Sequence, residues 1–469
     1  MHDPSSSLPV RLVTGGTRAQ DVMRLRVLLA ERLVARGLVE PGEARPQTSR
    51  LPVLVPVGPQ EDPVEAEADM CRRLRGVPPG TDLVLRTSGS STGTGRLVAV
   101  SARSLVASAR ATHARLGAAG RWVLALPAHH VAGLQVLVRS VLAGTAPLVV
   151  DTSTGFRVPA LAGALHRALR GRDPVYLSLV PTQLVRALQD EETTRLLSRT
   201  QAVLLGGAAT SPTLLSRARA AGTPLVTTYG ASETAGGCVY DGLPLDGVEV
   251  ALDAEDRILL RGPVLASGYV GDGSRAGACD IQQGARYHGA PLAGGTGQGA
   301  ARQEDSTPLW RPGTRLPVAL RPGFHLLPTA LPGELPDEGG TGTVRVLATS
   351  DRGRLEDGRL VVLGRADGLI NTGGVKVDPR EVEDVLTGIE EVAEACVVGV
   401  PDQEWGTVVA AAVVLQPGAV LDGGAVRRCA RERLGGTHAP KRVEVLDSLP
   451  LRGPGKVDRR AVQVLLSRS

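Results

Sequence analysis

The residues best suited to chemistry lie in one short loop, which runs from Thr87 to Arg96. All ten are Thr, Ser, Gly or Arg (TSGSSTGTGR), and apolar runs precede and follow them. Glycines let a backbone approach a ligand closely, hydroxyl and N–H groups donate hydrogen bonds, and Arg96 adds a planar cationic fork. Such a loop is suited to wrapping phosphate oxygens. Composition alone leaves a Gly/Ser-rich surface hairpin as the alternative, since the loop has no Lys and is not a P-loop.

A second chemical signal is the scarcity of lysine. Only three of the 53 Lys and Arg side chains are lysines, namely Lys376, Lys441 and Lys456. Lysine carries a compact charge, and arginine replaces it poorly where one ammonium must reach one oxygen. Lys456 stands in a Gly/Pro-bounded segment, GPGKVDRR, near the end of the chain. We therefore expect a chemical role for Lys456, with chance and solvent exposure as the alternative.

Alternating strand and helix patterns between residues 83 and 230 predict the elements that position these groups. Strands are predicted at 122–127, 146–150, 175–180, 202–207 and 224–230, and helices at 101–116, 132–144, 158–170, 181–189 and 211–220. Such alternation indicates a parallel sheet covered by helices on both faces. Ligands bind beyond the carboxyl ends of such strands, where Leu204–Ala209 and Tyr229–Thr234 would join the loop.

The rest of the chain predicts a smaller second unit. Beyond residue 242 the pattern changes to short strands, and residues 271–310, rich in Gly, Gln and Ala, are expected to be a disordered or loosely packed insertion. After a joint at Asp367, two helices and a small sheet are predicted. The expected fold class is α/β. A large N-terminal domain (1–366) has helix-covered parallel sheets and a β-rich subdomain, and a small mobile C-terminal domain (367–469) is α+β.

Composition and charge narrow the class of protein. A chain of 469 residues exceeds what one core usually supports. The net charge of +5 is spread along the chain, and no basic block has interleaved aromatics, so no nucleic acid partner is expected. The five cysteines form no C-x-x-C pair, which suggests a reduced cytoplasmic protein without structural zinc. Neither a signal peptide nor a membrane span is expected.

Five motifs in order resemble those of the adenylate-forming acyl-CoA ligase superfamily of AMP-binding enzymes. They are TSGSSTGTGR at 87–96, YGASET at 229–234, TSD at 349–351, LGRADGLINTGG at 363–374 and GPGKVDRR at 453–460. Within the superfamily, LPAHHVAGLQVLVRS, SLVPTQL and PDQEWG are most similar to the o-succinylbenzoate–CoA ligases of menaquinone biosynthesis. The loop departs from the family pattern by an extra residue, through the Ser90–Ser91 doublet, and by Gly95-Arg96 in place of Pro-Lys.

The resemblance implies a two-step reaction. A carboxylate attacks the α-phosphate of ATP, giving an acyl-adenylate and pyrophosphate, and coenzyme A then displaces AMP. It implies ATP, Mg²⁺ and coenzyme A as partners, with 2-succinylbenzoate as the acid. Another aryl- or fatty-acid ligase, an enzyme that loads a carrier protein, and a nucleotide-binding homologue without catalysis stay open as alternatives. A homo-oligomer is also left open.

The resemblance assigns nucleotide roles to single residues. Lys456 would bridge the acid and the α-phosphate, Glu233 would bind Mg²⁺, and Thr234 would donate to the α-phosphate. The β- and γ-phosphates would be held by Thr87, Ser88, Gly89, Ser90, Ser91, Thr92, Gly93 and Arg96. The adenine and ribose would be held around Gly207, Ala208, Tyr229, Gly230, Asp351 and Arg365. In that last group, adenine would border on Gly207 and Ala208, and Asp351 would accept from the ribose hydroxyls.

A second group of residues is assigned to the acid and to coenzyme A. The Gly373–Gly374 pair would line the coenzyme A tunnel after the small domain turns about Asp367. His130 would gate the acyl pocket. Arg186 would face the second carboxylate of the acid, with Thr182 in the same pocket. An Arg186 side chain that faces solvent is the alternative.

Overall fold

The computed structural model describes most of the chain, and the fold below refers to those parts. The described residues are 9–40, 51–59, 61–74, 77–87, 95–271, 310–329, 343–366, 368–402, 405–436, 438–452 and 455–468. Outside them lie the predicted phosphate-binding residues Ser88–Gly93, the predicted joint Asp367 and all of the predicted insertion 271–310 except its two end residues. The predictions that concern these residues therefore stay predictions.

A seven-stranded sheet forms the centre of the N-terminal part. Its strands, in spatial order, are Leu243–Pro244, Gly236–Tyr240, Leu225–Ala231, Ala202–Leu205, Val175–Leu179, Arg121–Leu124 and Leu148–Val149. The run of five from Leu225–Ala231 to Leu148–Val149 is parallel. The predicted parallel sheet is confirmed, and the carboxyl ends of its strands meet at one edge.

Helices cover both faces of this sheet because successive strand residues point to opposite sides. Tyr176 belongs to the buried cluster that contains Leu105 and Leu134, whereas Leu177 belongs to the cluster that contains Leu161. The covering helices are Ala102–Leu116 and Val131–Leu142 on one face, and Val158–Ala168, Pro181–Ala187, Glu191–Leu197 and Pro212–Ala220 on the other. The prediction of a sheet covered on both faces is confirmed.

Two further sheets complete the N-terminal part. The first has the strands Val10–Thr14, Val53–Val57, Leu83–Arg86, Leu97–Val100 and Gly268–Tyr269, with the helices Ala19–Ala35 and Pro63–Arg73. The β-rich one has the strands Glu249–Leu252, Arg257–Arg261, Thr343–Glu356, Gly323–Pro328 and Arg359–Arg365. Because Leu83–Arg86 and Leu97–Val100 are antiparallel neighbours, the Ser/Thr/Gly loop of Thr87–Arg96 connects a β-hairpin.

Beyond residue 370 the chain forms a small α+β domain with buried clusters of its own. Its strands are Val392–Asp402, Gly406–Leu415 and Arg442–Val445 in one sheet, Ile370–Thr372 with Val375–Val377 in one hairpin, and Leu451–Arg452 with Lys456–Val457 in another. Its helices are Pro379–Thr387, Gly423–Leu434 and Arg459–Arg468. The predicted pairing of a large and a small domain is confirmed, and the boundary between 366 and 367 stays a prediction.

Helix boundaries follow the capping chemistry of the sequence. Ser101 Oγ accepts the Ser104 N–H over 3.1 Å, and Gly117, with φ 91°, ends the helix Ala102–Leu116. Pro181 opens its own helix, where a missing N–H costs nothing. Both starts agree with the prediction. Of the helices that the structure describes, none is long and apolar enough to cross a membrane.

Candidate active site

Two glycines follow the strand Ala202–Leu205 and form the floor of the candidate site. A Cβ on Gly206 would lie 2.2 Å from Oγ1 of Thr228, which leaves no room for a side chain. Gly207 has a φ of +81°, which favours glycine, and a Cβ there would lie 3.3 Å from Cε of Lys456. Gly207 and Ala208, the predicted neighbours of adenine, are both exposed. The backbone at this sheet edge is therefore open to close approach by a ligand.

Lys456 reaches this floor from the C-terminal domain. It begins the strand Lys456–Val457, whose hairpin partner is Leu451–Arg452. Burial and the nearby Arg452 guanidinium lower the pKa of the Lys456 ammonium below its ordinary value of 10.5. The ammonium is thus held where its charge is costly, and an anionic ligand at the same place would offset that cost.

Glu233 lies on the short 3₁₀ turn Ser232–Thr234 at the end of the strand that carries the YGASET motif. The Tyr269 hydroxyl donates to Glu233 Oε1 over 3.1 Å, and Cζ of Arg96 lies 4.8 Å from the centre of the Tyr269 ring. Burial raises the pKa of the Glu233 carboxyl, whereas Tyr269 and Arg96 oppose the rise. A cation bound at this carboxyl would further favour its ionised form.

The chemistry of Glu233 fits a Mg²⁺ ion that the protein holds together with the phosphates of a ligand. Carboxylate oxygen suits this ion, which commonly binds one or two carboxylates and substrate phosphates. In the part of the chain that the structure describes, no group of three or more His, Cys, Asp or Glu could hold a metal. A single carboxylate together with phosphate oxygens is a donor set of the kind that Mg²⁺ accepts.

Asp351 and Arg365 face each other on paired antiparallel strands. The Tyr229 hydroxyl donates to Asp351 Oδ2 over 2.9 Å, which links the TSD and YGASET motifs across 122 positions of sequence. Burial and the Asp351 carboxylate raise the pKa of Tyr229 well above 10.0, so its hydroxyl stays a donor at neutral pH. The structure thus brings together three of the residues expected to hold the nucleotide.

The neck of the Ser/Thr/Gly loop is fixed by its two ends. The Thr87 N–H donates to the Arg96 carbonyl over 2.8 Å, and the Arg96 N–H donates to Thr87 Oγ1, also over 2.8 Å. Gly95 has a φ of +61°, and a Cβ there would lie 2.1 Å from the Thr87 carbonyl oxygen. Proline, which the family pattern has at this place, cannot adopt that φ. Gly95 is therefore suited to this neck, which directs Arg96 towards Tyr269.

Two neighbouring histidines lie near the site, and one of them, His130, is close to the lysine. His130 precedes the helix Val131–Leu142, and burial, with His129 and Lys456 nearby, lowers the pKa of His130 to about 3. The centre of the His129 ring lies 4.3 Å from that of His130, and burial lowers the pKa of His129 to about 4. Both rings are therefore neutral at pH 7. Positive charge at this place comes from Lys456 and not from a histidine.

Thr234, expected to donate to a phosphate, is fully buried in this structure. Its hydroxyl accepts the Ala231 N–H over 2.9 Å and donates to the Gly236 carbonyl over 2.7 Å. The hydroxyl therefore holds the turn of the YGASET motif, and its role towards a phosphate stays a prediction. In the same motif Gly230 is exposed, and a Cβ there would lie 2.1 Å from the Gly236 carbonyl oxygen.

The glycine pair predicted for coenzyme A makes its contacts within the C-terminal domain. Gly373 and Gly374, with φ of +54° and +85°, form the turn of the hairpin at 370–377 and are exposed. A Cβ on Gly373 would lie 2.4 Å from Cε3 of Trp405, and Lys441 Nζ lies 3.7 Å from the centre of the Trp405 ring. The pair's role in a coenzyme A tunnel stays a prediction.

The helix Pro181–Ala187 meets the C-terminal domain at two positions. Thr182 Oγ1 donates to the Gly455 carbonyl over 2.7 Å. Arg186 lies one helical turn later. Burial raises the pKa of the Glu394 carboxyl in the small domain, and the nearby charge of Arg186 lowers it. Both side chains were expected to contact the acid. The structure gives the Thr182 hydroxyl a protein partner and places Arg186 near a carboxylate of the small domain.

Tyr269 is the site residue that reasoning from the sequence did not identify. It lies 36 positions after Glu233, outside the five motifs. The chain has only five tyrosines and an aromatic share of 2%. Scarcity, which pointed to Lys456, would also have pointed to Tyr229 and Tyr269, which both donate to predicted site carboxylates.

The fold and this site together define the class of protein. Residues 33–270 match the AMP-binding enzyme family, and residues 381–456 match the AMP-binding enzyme C-terminal domain. The chain belongs to the family of AMP-binding enzymes.

Individual relatives make the similarity more specific. The probable 2-succinylbenzoate–CoA ligase of Mycobacterium tuberculosis is 38% identical over 386 residues, which cover 81% of this chain and 83% of that protein. The 2-succinylbenzoate–CoA ligase of Geobacillus kaustophilus is 28% identical, over 74% of this chain and 61% of that protein. A point variant of E. coli MenE with bound OSB-AMS has a TM-score of 0.64 at 22% identity, over 99% of this chain and 89% of that one. At this identity the structural match supports the fold.

The environment of Lys456 predicts that its ammonium has a lowered pKa. Because the chain has three lysines, competitive acetylation at a series of pH values can follow each one by mass spectrometry. We expect the midpoint for Lys456 to lie below 10.5 and to rise in Arg452→Ala, which removes a like charge. Arg460→Ala, at an exposed position of the same region, should leave the midpoint unchanged. A Lys456 midpoint at or above 10.5 in the free protein would contradict the geometry.

Proposed function

We propose that this chain is an ATP-dependent acid–coenzyme A ligase that converts 2-succinylbenzoate to its coenzyme A thioester, through an acyl-adenylate, in menaquinone biosynthesis. The observation that carries the proposal is the position of Lys456 against Gly207 at the carboxyl ends of the parallel strands. The choice of acid is supported by the M. tuberculosis relative, which matches over 81% of the chain.

The first step joins two anions, so the site must supply positive charge where charge develops. Lys456 would donate to the attacking carboxylate and to an α-phosphate oxygen. Its burial would strengthen both attractions, because little water remains to screen them. Arg96 would add positive charge at the outer phosphates. Glu233 would hold Mg²⁺, which when bound neutralises part of the phosphate charge.

The nucleotide would be oriented by two groups of residues. Asp351 would accept from the ribose hydroxyls, while the hydrogen bond from Tyr229 fixes the orientation of its carboxylate. Gly207 and Ala208, which are exposed, would border the adenine. With the base and ribose fixed in this way, the α-phosphate would lie within reach of Lys456.

The second step requires coenzyme A to reach the adenylate. The present arrangement of the two domains would serve adenylate formation, because Lys456 lies at the floor of the site. We infer that the small domain (367–469) then turns about Asp367 relative to residues 1–366. This rotation would withdraw Lys456 and bring Gly373–Gly374 to the entry of the thiol.

The acid itself carries two carboxylates, and the one that does not react needs a counter-charge. Arg186 is our candidate, since it lies partly buried on the helix that also carries Thr182. In the free protein Arg186 would interact with Glu394. When the acid binds, its second carboxylate would take the place of Glu394. Neutral His130, beside Lys456, would form part of the acyl pocket without adding charge.

A thioester assay tests the proposed function directly. The purified chain, with ATP, Mg²⁺ and coenzyme A, is offered 2-succinylbenzoate, benzoate or a medium-chain fatty acid, and the products are identified by mass spectrometry. We expect the highest kcat/KM with 2-succinylbenzoate, by about tenfold or more, because only this acid has a second carboxylate that can pair with Arg186. A preference for a monocarboxylic acid would assign the chain to another ligase of the family. Turnover of none of the acids would contradict the proposal.

Removing the lysine should separate the two half-reactions. Lys456→Ala is expected to lower pyrophosphate exchange by about 100-fold or more, since it removes the main stabilising charge. Thioester formation from supplied acyl-AMP should be retained, because the lysine is not needed in that step. The Arg460→Ala variant is the control for both assays. Equal loss of both half-reactions in Lys456→Ala would contradict the assigned role.

Removing the candidate counter-charge should affect the acid and not the nucleotide. In Arg186→Ala we expect KM for 2-succinylbenzoate to rise about tenfold, with KM for ATP unchanged, since one charge-assisted contact is lost. Arg195→Ala, which alters an exposed arginine on the next helix, is the matched control. An unchanged KM for 2-succinylbenzoate in Arg186→Ala would remove Arg186 from the acid pocket.

A further inference from the structure

Thr182 has an interdomain role that its place in the sequence does not suggest. Its hydroxyl donates to the carbonyl oxygen of Gly455, and the two residues are 273 positions apart. The oxygen-to-oxygen distance is 2.7 Å, and Thr182 is 9% exposed, so water competes little for this bond. The acceptor belongs to the residue directly before Lys456. The bond therefore fixes the backbone from which the lysine side chain extends.

Around this bond, the backbone at Gly455 packs closely against Val180 and Thr182. Gly455 has a φ of +87°, and a Cβ there would lie 3.2 Å from Cγ2 of Val180 and 3.6 Å from Thr182 Oγ1. The other methyl of Val180 would lie 3.5 Å from a Cβ on Gly207, the same position that Lys456 Cε contacts. Val180 thus packs between the lysine hairpin and the floor of the site, and Thr182 supplies the directional bond beside it.

Thr182 is itself held rigidly. The Gln183 side chain accepts the Val180 N–H over 3.2 Å and donates to the Ala125 carbonyl over 3.0 Å. The first bond caps the start of the helix, and the second attaches its first turn to the residue that follows the strand Arg121–Leu124. A donor fixed to the central sheet can specify the position of its acceptor on a mobile domain.

We propose that Thr182 is a positioning residue, which places Lys456 for adenylate formation through its hydrogen bond to Gly455. The inference rests on the proposed function, because it assumes that Lys456 acts in adenylate formation. It replaces the expectation that Thr182 contacts the acid. Because the bond joins the two domains, Thr182 acts only in the arrangement that brings Lys456 to the site.

Two substitutions test this role. Thr182→Val keeps the shape and removes the donor, whereas Thr182→Ser keeps the donor. We expect Thr182→Val to lower kcat for pyrophosphate exchange by about fivefold to tenfold, the effect of one hydrogen bond. The KM values for acid and ATP, and thioester formation from supplied acyl-AMP, should stay unchanged. Thr182→Ser should restore exchange to within about twofold of the parent chain.

A matched control and a second readout complete the test. Thr194→Val is the control, since the Thr194 hydroxyl donates to the Asp190 carbonyl over 2.8 Å and to the Ala187 carbonyl over 3.5 Å, both in the N-terminal part of the chain. Hydrogen exchange, which needs no substrate, should show faster exchange at Gly455 and Lys456 in Thr182→Val and not in Thr182→Ser or Thr194→Val. This readout keeps the proposal testable even if the parent chain activates none of the acids, an outcome that would overturn only the proposed function.

Three results would overturn the proposal. A rise in KM for the acid with kcat unchanged would return Thr182 to the acid pocket. Equal loss of both half-reactions, with a lowered melting temperature, would show a merely structural role. Unchanged hydrogen exchange at Gly455 in Thr182→Val would show that the bond does not hold the lysine hairpin.

Discussion

The structure depends on one electrostatic constraint. The Lys456 ammonium is partly buried, and the Arg452 guanidinium lies near it. Burial and Arg452 disfavour the charge of Lys456, and the neighbouring His130 is neutral. Such an arrangement costs stability in the free protein. In the reaction that we propose, the same charge would stabilise a transition state in which two anions are joined, and an already oriented ammonium would need no reorganisation at that moment. The site is thus prepared for anions that the protein does not itself supply.

The domain rotation that we propose would make this placement of charge reversible. The lysine belongs to the small domain, while the floor that it contacts belongs to the central parallel sheet. Gly206 and Gly207 keep the floor free of side chains, so the lysine can approach and, in the reaction that we propose, withdraw. On the other side, Glu233 and Asp351 each accept a hydrogen bond from a tyrosine hydroxyl, which fixes the carboxylates that we propose for Mg²⁺ and the ribose. Fixed acceptors on the large domain and a donor on the small domain would suit the two-step reaction that we propose.

Reasoning from the sequence succeeded where patterns are long and local. The alternation around strands such as Val175–Leu179 predicted the parallel sheet, and Pro181 and Ser101 marked helix starts, because caps and periodicity act within a few residues. The hairpin that carries Lys456 was not predicted, since strands of two residues have no period to detect. The bond from Thr182 to Gly455 could not be predicted from the sequence, because no local pattern reveals a partner 273 positions away. Tyr269 lies outside the five motifs, and the scarcity of tyrosine is the sequence signal that points to it.

The central claim is that this site forms an acyl-adenylate, and an isotope experiment tests it most directly. The chain is supplied with ATP, coenzyme A and 2-succinylbenzoate that carries ¹⁸O in its carboxylates, and the AMP released is examined by mass spectrometry. Attack of a carboxylate oxygen on the α-phosphate predicts one ¹⁸O atom in each AMP. Thioester formation with ADP as the product, or with AMP that carries no label, would contradict the account.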